Sequence, residues 1–310
     1  MFYKLCRNDL KLLLASKIKP EAEDFNMSSS AYRQVVDWAA NAQLLDDRGD
    51  LTVEGKLVAT KDPHLETTVT EWLIHFNIGE NDSLWSYFIH RFLPENPRFS
   101  YDDFTKSATQ TLSINLSDAK NKASLMIENY LNSGAFSRIN FLSQEDQLLS
   151  TGQSELSNRY TVGYLLAKTW KREFKQQATV TVDQILDSEV KLLSSLGINS
   201  SQLLEELDLL ADAEIIEQRS ARPSPVGRKT PIRQSSESFY QVYRCWDDPV
   251  ELLEKAYEND IATPNRPLIQ SLGDILKDDD DVPDFSQFLE WAVELPMFEC
   301  SSLNRIRLAS

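Results

Sequence analysis

The side chains best suited to bind a charged ligand are six basic residues that fall between residues 218 and 244, where Glu237 is the one acid. They are Arg219, Arg222, Arg228, Lys229, Arg233 and Arg244. Prolines and a glycine between them predict an irregular loop, and Ser and Thr hydroxyls add further phosphate-binding groups. The segment therefore predicts a basic wing that grips a nucleic-acid backbone, with Arg222, Arg228, Lys229 and Arg233 as DNA contacts. A solvated loop, or one that contacts an acidic partner, stays open as the alternative.

A second set of basic residues lies near the middle of the chain. Lys120 and Lys122 stand at the start of a predicted helix, and Arg138 follows that helix. We expect these three residues to contact DNA, because this helix is the best placed to enter a groove. The comparable helix near residue 205 carries acids and no Lys or Arg, so phosphates would repel it. That helix is predicted to dock proteins instead.

Catalytic chemistry has little support in the sequence. The spacing of His64, His75 and His90 matches no compact metal motif, and packed or surface histidines are the simpler interpretation. Asp50, Glu54 and Lys56 offer the acids and lysine of a Mg²⁺-dependent nuclease, but wing residues alone account for them. We assign no catalytic residue, metal ligand or cofactor, and Mg²⁺ or Mn²⁺ is expected only if the protein is a nuclease.

The elements that must position these residues recur along the chain. A helix begins at Ser28, its apolar residues lead to Leu44, and residues 51–56 are predicted as an extended wing strand after a turn. A second helix starts at Ser117 and precedes an extended stretch at 138–142. A third starts at Ser200 after a turn at Gly197, and it leads to Ile215-Ile216, which Phe239–Tyr243 is expected to pair with. Helix, turn, helix and two-stranded wing is the winged-helix order.

The predicted fold is therefore mostly α with small β wings, in several winged-helix-like (helix-turn-helix) units joined by helical segments. Residues 1–61 form the first unit, 62–178 a helical middle region with the second, 179–260 the third with its basic wing, and 261–310 an acidic tail. Helices are expected at 65–78, 83–92 and 160–176. A final helix is expected at 285–295, after the exposed aspartates 278–281.

Bulk composition restricts the classes of function. The formal net charge is −16, so any DNA contact must use a local basic patch, and the acidic surface is expected to face protein partners. The three cysteines are far apart, which predicts neither a zinc ribbon nor a disulfide framework. No apolar run approaches 18 residues, so no membrane partner is expected and a cytoplasmic location is predicted.

Several ordered segments resemble a bacterial family of proteins with uncharacterised domains, the SspB-like group, which is encoded beside DNA phosphorothioation genes. The resemblance covers roughly residues 25–260. The segments are Val35–Trp38, Leu44-Leu45, Leu51–Lys56, Glu71–Phe76, Trp85–Phe92, Phe239–Arg244 and Asp248–Leu253.

The resemblance implies a DNA-associated component of a phosphorothioation and phage-defence system, with a DNA-nicking activity. It implies duplex DNA and other subunits of a modification or defence complex as partners. The alternative is a non-catalytic assembly or regulatory protein that docks partner subunits through acidic winged-helix surfaces. A ligand-responsive repressor fits one winged helix better than three.

The basic segment generates the first prediction. Replacing Arg222, Arg228, Lys229 and Arg233 by Ala should weaken DNA binding and flatten its salt dependence, because each phosphate contact releases counterions. Binding measured across a salt series checks this. An unchanged affinity and salt slope would remove the segment from the DNA interface.

Overall fold

The computed structural model describes residues 4–19, 27–132, 134–188, 192–220, 240–262, 298–301 and 305–308. Over these residues the chain is mostly helical with small antiparallel sheets, as predicted. The helices are α1 (Arg7–Ile18), α2 (Ser29–Asn41), α3 (Val53–Lys61), α4 (Thr68–Asn81), α5 (Ser83–Tyr87), a π-helical turn (Phe88–Phe92), α6 (Leu93–Glu95), α7 (Tyr101–Leu112), α8 (Leu116–Glu128), α9 (Arg159–Glu173), α10 (Val182–Leu186), α11 (Leu192–Leu196), α12 (Ser200–Asp212) and α13 (Pro249–Ala262). The strands are β1 (Arg98–Phe99), β2 (Leu142–Glu145), β3 (Leu148–Thr151), β4 (Thr179–Thr181), β5 (Ile216–Ser220), β6 (Tyr240–Arg244), β7 (Phe298–Ser301) and β8 (Arg305–Leu308).

Short polar side chains begin most of the longer helices. Ser28 accepts the Ala31 backbone N–H at the start of α2, as predicted, and Asn115 accepts that of Asp118 at the start of α8. Capping boxes begin α7 and α12. Because the first N–H groups of a helix lack partners within it, these side chains set where each helix begins.

The chain repeats one arrangement of elements. From α5 to β3 it runs helix, strand β1, helices α7 and α8, then hairpin β2–β3, in a sheet of order β1-β3-β2. From α9 to β6 it runs helix, strand β4, three further helices ending in α12, then hairpin β5–β6, in a sheet of order β4-β6-β5. In both sheets the last strand is central and antiparallel to its two neighbours. We call these the first and second repeats.

Two predicted wing strands differ from the structure. Residues 51–56 do not form a strand, because Thr52 caps the helix α3 that begins at Val53. A single bridge between Leu45 and Leu51 is all that remains of the predicted first wing. Residues 138–140 form turns and Asn140 has a left-handed φ of +50°, which interrupts extended backbone, so the hairpin begins only at Leu142. The prediction of extended backbone was therefore wrong at residues 53–56 and 138–140, whereas Leu142 does begin a strand.

One predicted strand pairing, one turn and three predicted helices agree with the structure. The strand after Ile215 pairs with β6 in the register Ile216 to Arg244, and Gly197 makes the turn before α12 with φ +66°. The helices expected near 65–78, 83–92 and 160–176 are α4, α5 with its π-helical turn, and α9. The predicted final helix and the aspartates before it lie outside the described residues.

Helix α4 forms the centre of the core. Every residue from Val69 to Gly79 is buried, although several of them are polar. Thr70 donates to the Asp62 carboxylate and contacts the Tyr257 hydroxyl, and Trp72 donates to the Glu155 carbonyl. Buried polar groups must be paired, so these contacts tie α4 to distant parts of the chain.

The chain divides into two compact units, Met1–Glu258 and Asn259–Ser310. The first contains both repeats and the hydrophobic core around α4. In the second, β7 and β8 form an antiparallel hairpin with Cys300 opposite Ile306. The finer division at residues 61, 178 and 260 stays a prediction. No helix in the described part of the chain is both long and apolar enough to cross a membrane.

The packing of α3 yields a stability prediction. A Cβ added at Gly55 would stand 2.0 Å from the Leu44 carbonyl oxygen, which the backbone fixes in place. Gly55→Ala should therefore lower the free energy of unfolding by about 1–3 kcal/mol, despite the better helix propensity of Ala. The control is Gly79→Ala, where the added Cβ meets side-chain atoms alone, the Ile89 Cδ1 at 2.9 Å and the His90 Nε2 at 3.9 Å, and no backbone atom. Chemical denaturation should separate the two variants, and equal stabilities would contradict this packing.

Candidate functional site

Helix α8 presents two of the predicted DNA contacts. Lys120 is exposed and lies 3.7 Å from the Asp102 carboxylate, and Lys122 is half-buried two positions further along the helix. Ser117 and Asn121 are exposed beside them. The start of α8 is therefore a solvent-facing surface with hydroxyl, amide and ammonium donors beside the exposed carboxylate of Asp118, and hairpin β2–β3 follows it in the chain.

Arg138, the third predicted contact in this region, follows α8 in the chain and lies against a buried acid. Its backbone N–H donates to Glu71 at 3.0 Å, and its side chain, 35% exposed, approaches the same carboxylate at 3.7 Å. Arg7 donates to Glu71 at 2.5 Å and to the carbonyls of Gly134 and Ala135. This network fixes the turn that joins α8 to the hairpin.

Burial governs the electrostatics of that network. Removal of Glu71 from water raises the pKa of its carboxyl to about 7, although Arg7, Arg138 and two backbone N–H groups favour the ionised form. Burial also lowers the pKa of Arg7, whose guanidinium nevertheless stays charged. The Glu71 carboxyl is thus a group that titrates near neutrality while it holds the turn after α8.

The basic residues of the second repeat lie partly beyond the described chain. Arg222, Arg228, Lys229 and Arg233 are outside the described residues. Arg219, at the end of β5, pairs with Glu217 at 2.7 Å and stacks over the Tyr243 ring at 4.5 Å. Arg219, the residue at the start of the predicted basic wing that the structure describes, is therefore exposed and already paired within the protein.

Helix α12 occupies in the second repeat the place that α8 has in the first. Its exposed side includes Glu205, Asp208 and Asp212, and it has no Lys or Arg. Its buried side packs Leu203, Leu207 and Leu210 into the core. The two equivalent helices thus differ in charge, since α8 carries lysines and acids in equal number and α12 carries acids alone, as the sequence predicted for α12.

The histidines are packed or paired residues. His75 is fully buried and lies 2.7 Å from the Tyr130 hydroxyl and 2.9 Å from the Ser195 carbonyl oxygen. A carbonyl accepts only, so Nε2 carries the proton and Nδ1 accepts from Tyr130. Burial lowers the pKa of His75 to about 3, so the ring is neutral and joins α4 to both repeats.

A polar groove lies between the C-terminal end of α2, the start of α3 and the end of α4. We call it the α2–α3 groove; its volume is about 540 Å³. It is lined by Ala40, Asn41, Gln43, Leu45, Asp47, Thr52, Glu54 and Asn81. At its base Glu54 accepts hydrogen bonds from the Tyr164 hydroxyl and from Lys168, the latter at 2.8 Å.

Only part of this groove can be predicted from the sequence. Asp50, Glu54 and Lys56 have the residue types of a nuclease site, but Lys56 is exposed and the lysine that contacts Glu54 is Lys168 on α9. The two residues are 114 positions apart, so no local spacing points to their contact. A lysine on the buried side of an amphipathic helix was the available signal.

The described residues contain no cluster of side chains suited to bind a metal ion. Within them, no group of three or more His, Cys, Asp or Glu side chains is arranged to hold a metal ion. We therefore assign no metal ligand and derive no catalytic step from Mg²⁺ or Mn²⁺.

Two crystal structures share the arrangement of this chain, those of SspB and of SspB bound to magnesium ion. Each aligns with a TM-score of 0.60 over 84% of this chain and 89% of the SspB chain, at 14% and 13% sequence identity respectively. This chain has the SspB fold. The resemblance seen in the sequence thus extends to the fold. No family model and no curated protein matches the sequence.

The Glu71 network generates a pH prediction for this SspB-like fold. The pKa of the Glu71 carboxyl is raised from 4.5 in the unfolded chain to about 7 in the folded protein. Between these two pH values the folded state therefore holds more of the proton than the unfolded state does. The resulting stabilisation is complete below pH 4.5 and is lost as the pH rises through 7. Relative to Glu71→Gln, the wild type should lose up to about 3 kcal/mol of unfolding free energy over that range.

Chemical denaturation of both proteins at pH 4.5 and pH 7 checks this. The variant serves as the control because every other titrating group is common to both. Parallel pH profiles, or a wild type that gains stability as the pH rises, would contradict a raised pKa at Glu71.

Proposed function

We propose that this protein is a DNA-associated component of a bacterial DNA phosphorothioation and defence system, and that it binds duplex DNA through the first repeat. The observation that carries the proposal is the repeated order of helix, strand, helices and hairpin in a chain with the SspB fold. A three-stranded sheet whose last strand is central, preceded by two consecutive helices, is the winged-helix arrangement. In that arrangement the second helix enters the major groove.

The first repeat is the better DNA-binding copy. Its α8 begins with exposed Ser117, Lys120 and Asn121, whose hydroxyl, ammonium and amide groups contact phosphates and base edges. The equivalent helix α12 is acidic and would be repelled by phosphates. The basic segment beyond β5 supplies further phosphate contacts in this proposal, through Arg222, Arg228, Lys229 and Arg233.

The proposal is tested by a double variant of α8. Lys120→Ala with Lys122→Ala should weaken binding to duplex DNA and lower the slope of log K against log salt by about 2, since two phosphate contacts are lost. The matched control is Lys56→Ala with Lys171→Ala, two exposed lysines on α3 and α9. Fluorescence anisotropy across a salt series measures both. Equal losses of DNA affinity and salt slope in the two variants would exclude α8 as the DNA-binding surface.

Nicking is the activity that the SspB resemblance implies, and a supercoiled-plasmid assay tests it. Purified protein is incubated with plasmid and Mg²⁺, Mn²⁺ or EDTA. Metal-dependent conversion to open circles that co-elutes with the protein would establish a nicking endonuclease. A gel shift without conversion would instead define a DNA-binding subunit.

The second candidate function is a docking subunit that binds partner proteins through α12. It is favoured by the exposed acids Glu205, Asp208 and Asp212 and by the net charge of −16. Pull-down from cell extract with wild type and with the triple Ala variant tests it. Retention of the same partner by both baits would exclude α12 as the docking surface.

A further inference from the structure

The α2–α3 groove shares no residue with the proposed DNA surface, and hydrogen bonds of Lys168 connect the side chains at its base. Lys168 donates to the side-chain oxygens of Gln43 at 3.0 Å, Glu54 at 2.8 Å and Asn77 at 2.7 Å. An ammonium group has three N–H donors, so all of them are used within the protein. Lys168 therefore orients the walls of the groove and has no donor left for a ligand.

The groups that remain for a ligand are mainly oxygen acceptors. The Oε1 atom of Glu54 accepts hydrogen bonds from both the Tyr164 hydroxyl and Lys168. Within the described chain, no group donates a hydrogen bond to the Oε2 atom. The amides of Asn41 and Asn81 each donate to a backbone carbonyl, at Asp37 and at Asn41 respectively, which leaves their oxygens unused by the described residues. Such a lining suits a ligand that brings several N–H donors.

Charge narrows the class of ligand further. Asp47 lines the groove, and Asp46 and Asp50 stand in the same turn, with Arg48 as its one cation. The charge of Lys168 is balanced by Glu54, so the groove is negative overall. Phosphates and other anions are thus disfavoured, and a cation is favoured.

We propose that the α2–α3 groove receives an arginine side chain from a basic protein partner. A guanidinium presents five N–H donors in a planar fork, which matches carboxylate and amide oxygens arranged around an open groove. It is also less strongly hydrated than an ammonium, so it loses less on entering a partly buried site. The partner in this proposal is a protein with an exposed arginine segment.

The test uses the full-length protein and a fluorescein-labelled peptide in which arginine alternates with glycine. A lysine–glycine peptide of the same length has the same charge. Fluorescence anisotropy is measured for wild type, Asp47→Asn, Asn81→Ala and Asp146→Asn. Asp146 is an exposed acid in the β2–β3 turn and does not line the groove, so Asp146→Asn changes the net charge as Asp47→Asn does.

We expect the arginine peptide to bind wild type at least fivefold more tightly than the lysine peptide. Asp47→Asn and Asn81→Ala should weaken its binding at least fivefold, and Asp146→Asn less than twofold. Equal weakening by both Asp→Asn variants would show general attraction to an acidic protein and would overturn the site. Equal affinity for the two peptides would overturn the guanidinium assignment, and absence of binding would overturn both.

Discussion

The polar side chains of the buried helix α4 constrain the structure more than any other group. A helix buried on all sides leaves no water for Thr70, Glu71, His75 and Asn77, so each must find a partner within the protein. Thr70 forms hydrogen bonds with Asp62 and Tyr257. Glu71 accepts hydrogen bonds from Arg7 and from the turn after α8. His75 forms hydrogen bonds with Tyr130 and Ser195. Asn77 reaches Ala42 and Lys168. One helix thereby fixes α1, both repeats and the α2–α3 groove.

Around that centre, the two repeats use one scaffold for different surfaces. The apolar sides of α8 and α12 pack in the same way, with Ala123, Met126 and Ile127 in one and Leu203, Leu207 and Leu210 in the other. Their exposed sides are free to differ because they contribute little to the core. The exposed side of α8 carries lysine and amide groups beside Asp118, and that of α12 carries carboxylates, so one topology presents two surfaces of different charge.

Local features of the fold could be predicted from the sequence, but contacts between distant residues could not. Ser28 and Gly197 marked helix boundaries, and alternation in the β6 segment marked its pairing, because these signals lie within a few residues. The wing predicted at residues 51–56 was wrong because the cap at Thr52 outweighed an apparent hairpin. The pairing of Glu54 with Lys168 depends on how α3 and α9 meet in three dimensions. The spacing of residues along the chain does not indicate this contact.

Amide hydrogen exchange with and without duplex DNA tests the assignment of DNA binding to the first repeat. Protection is expected in α8 and in hairpin β2–β3, with α12 exchanging at the same rate in both samples. The duplex should carry no basic protein contaminant, so that any protection reports DNA alone. Protection of α12 with none in α8 would reverse the roles of the two repeats, and protection in neither would contradict DNA binding by the helices of this fold.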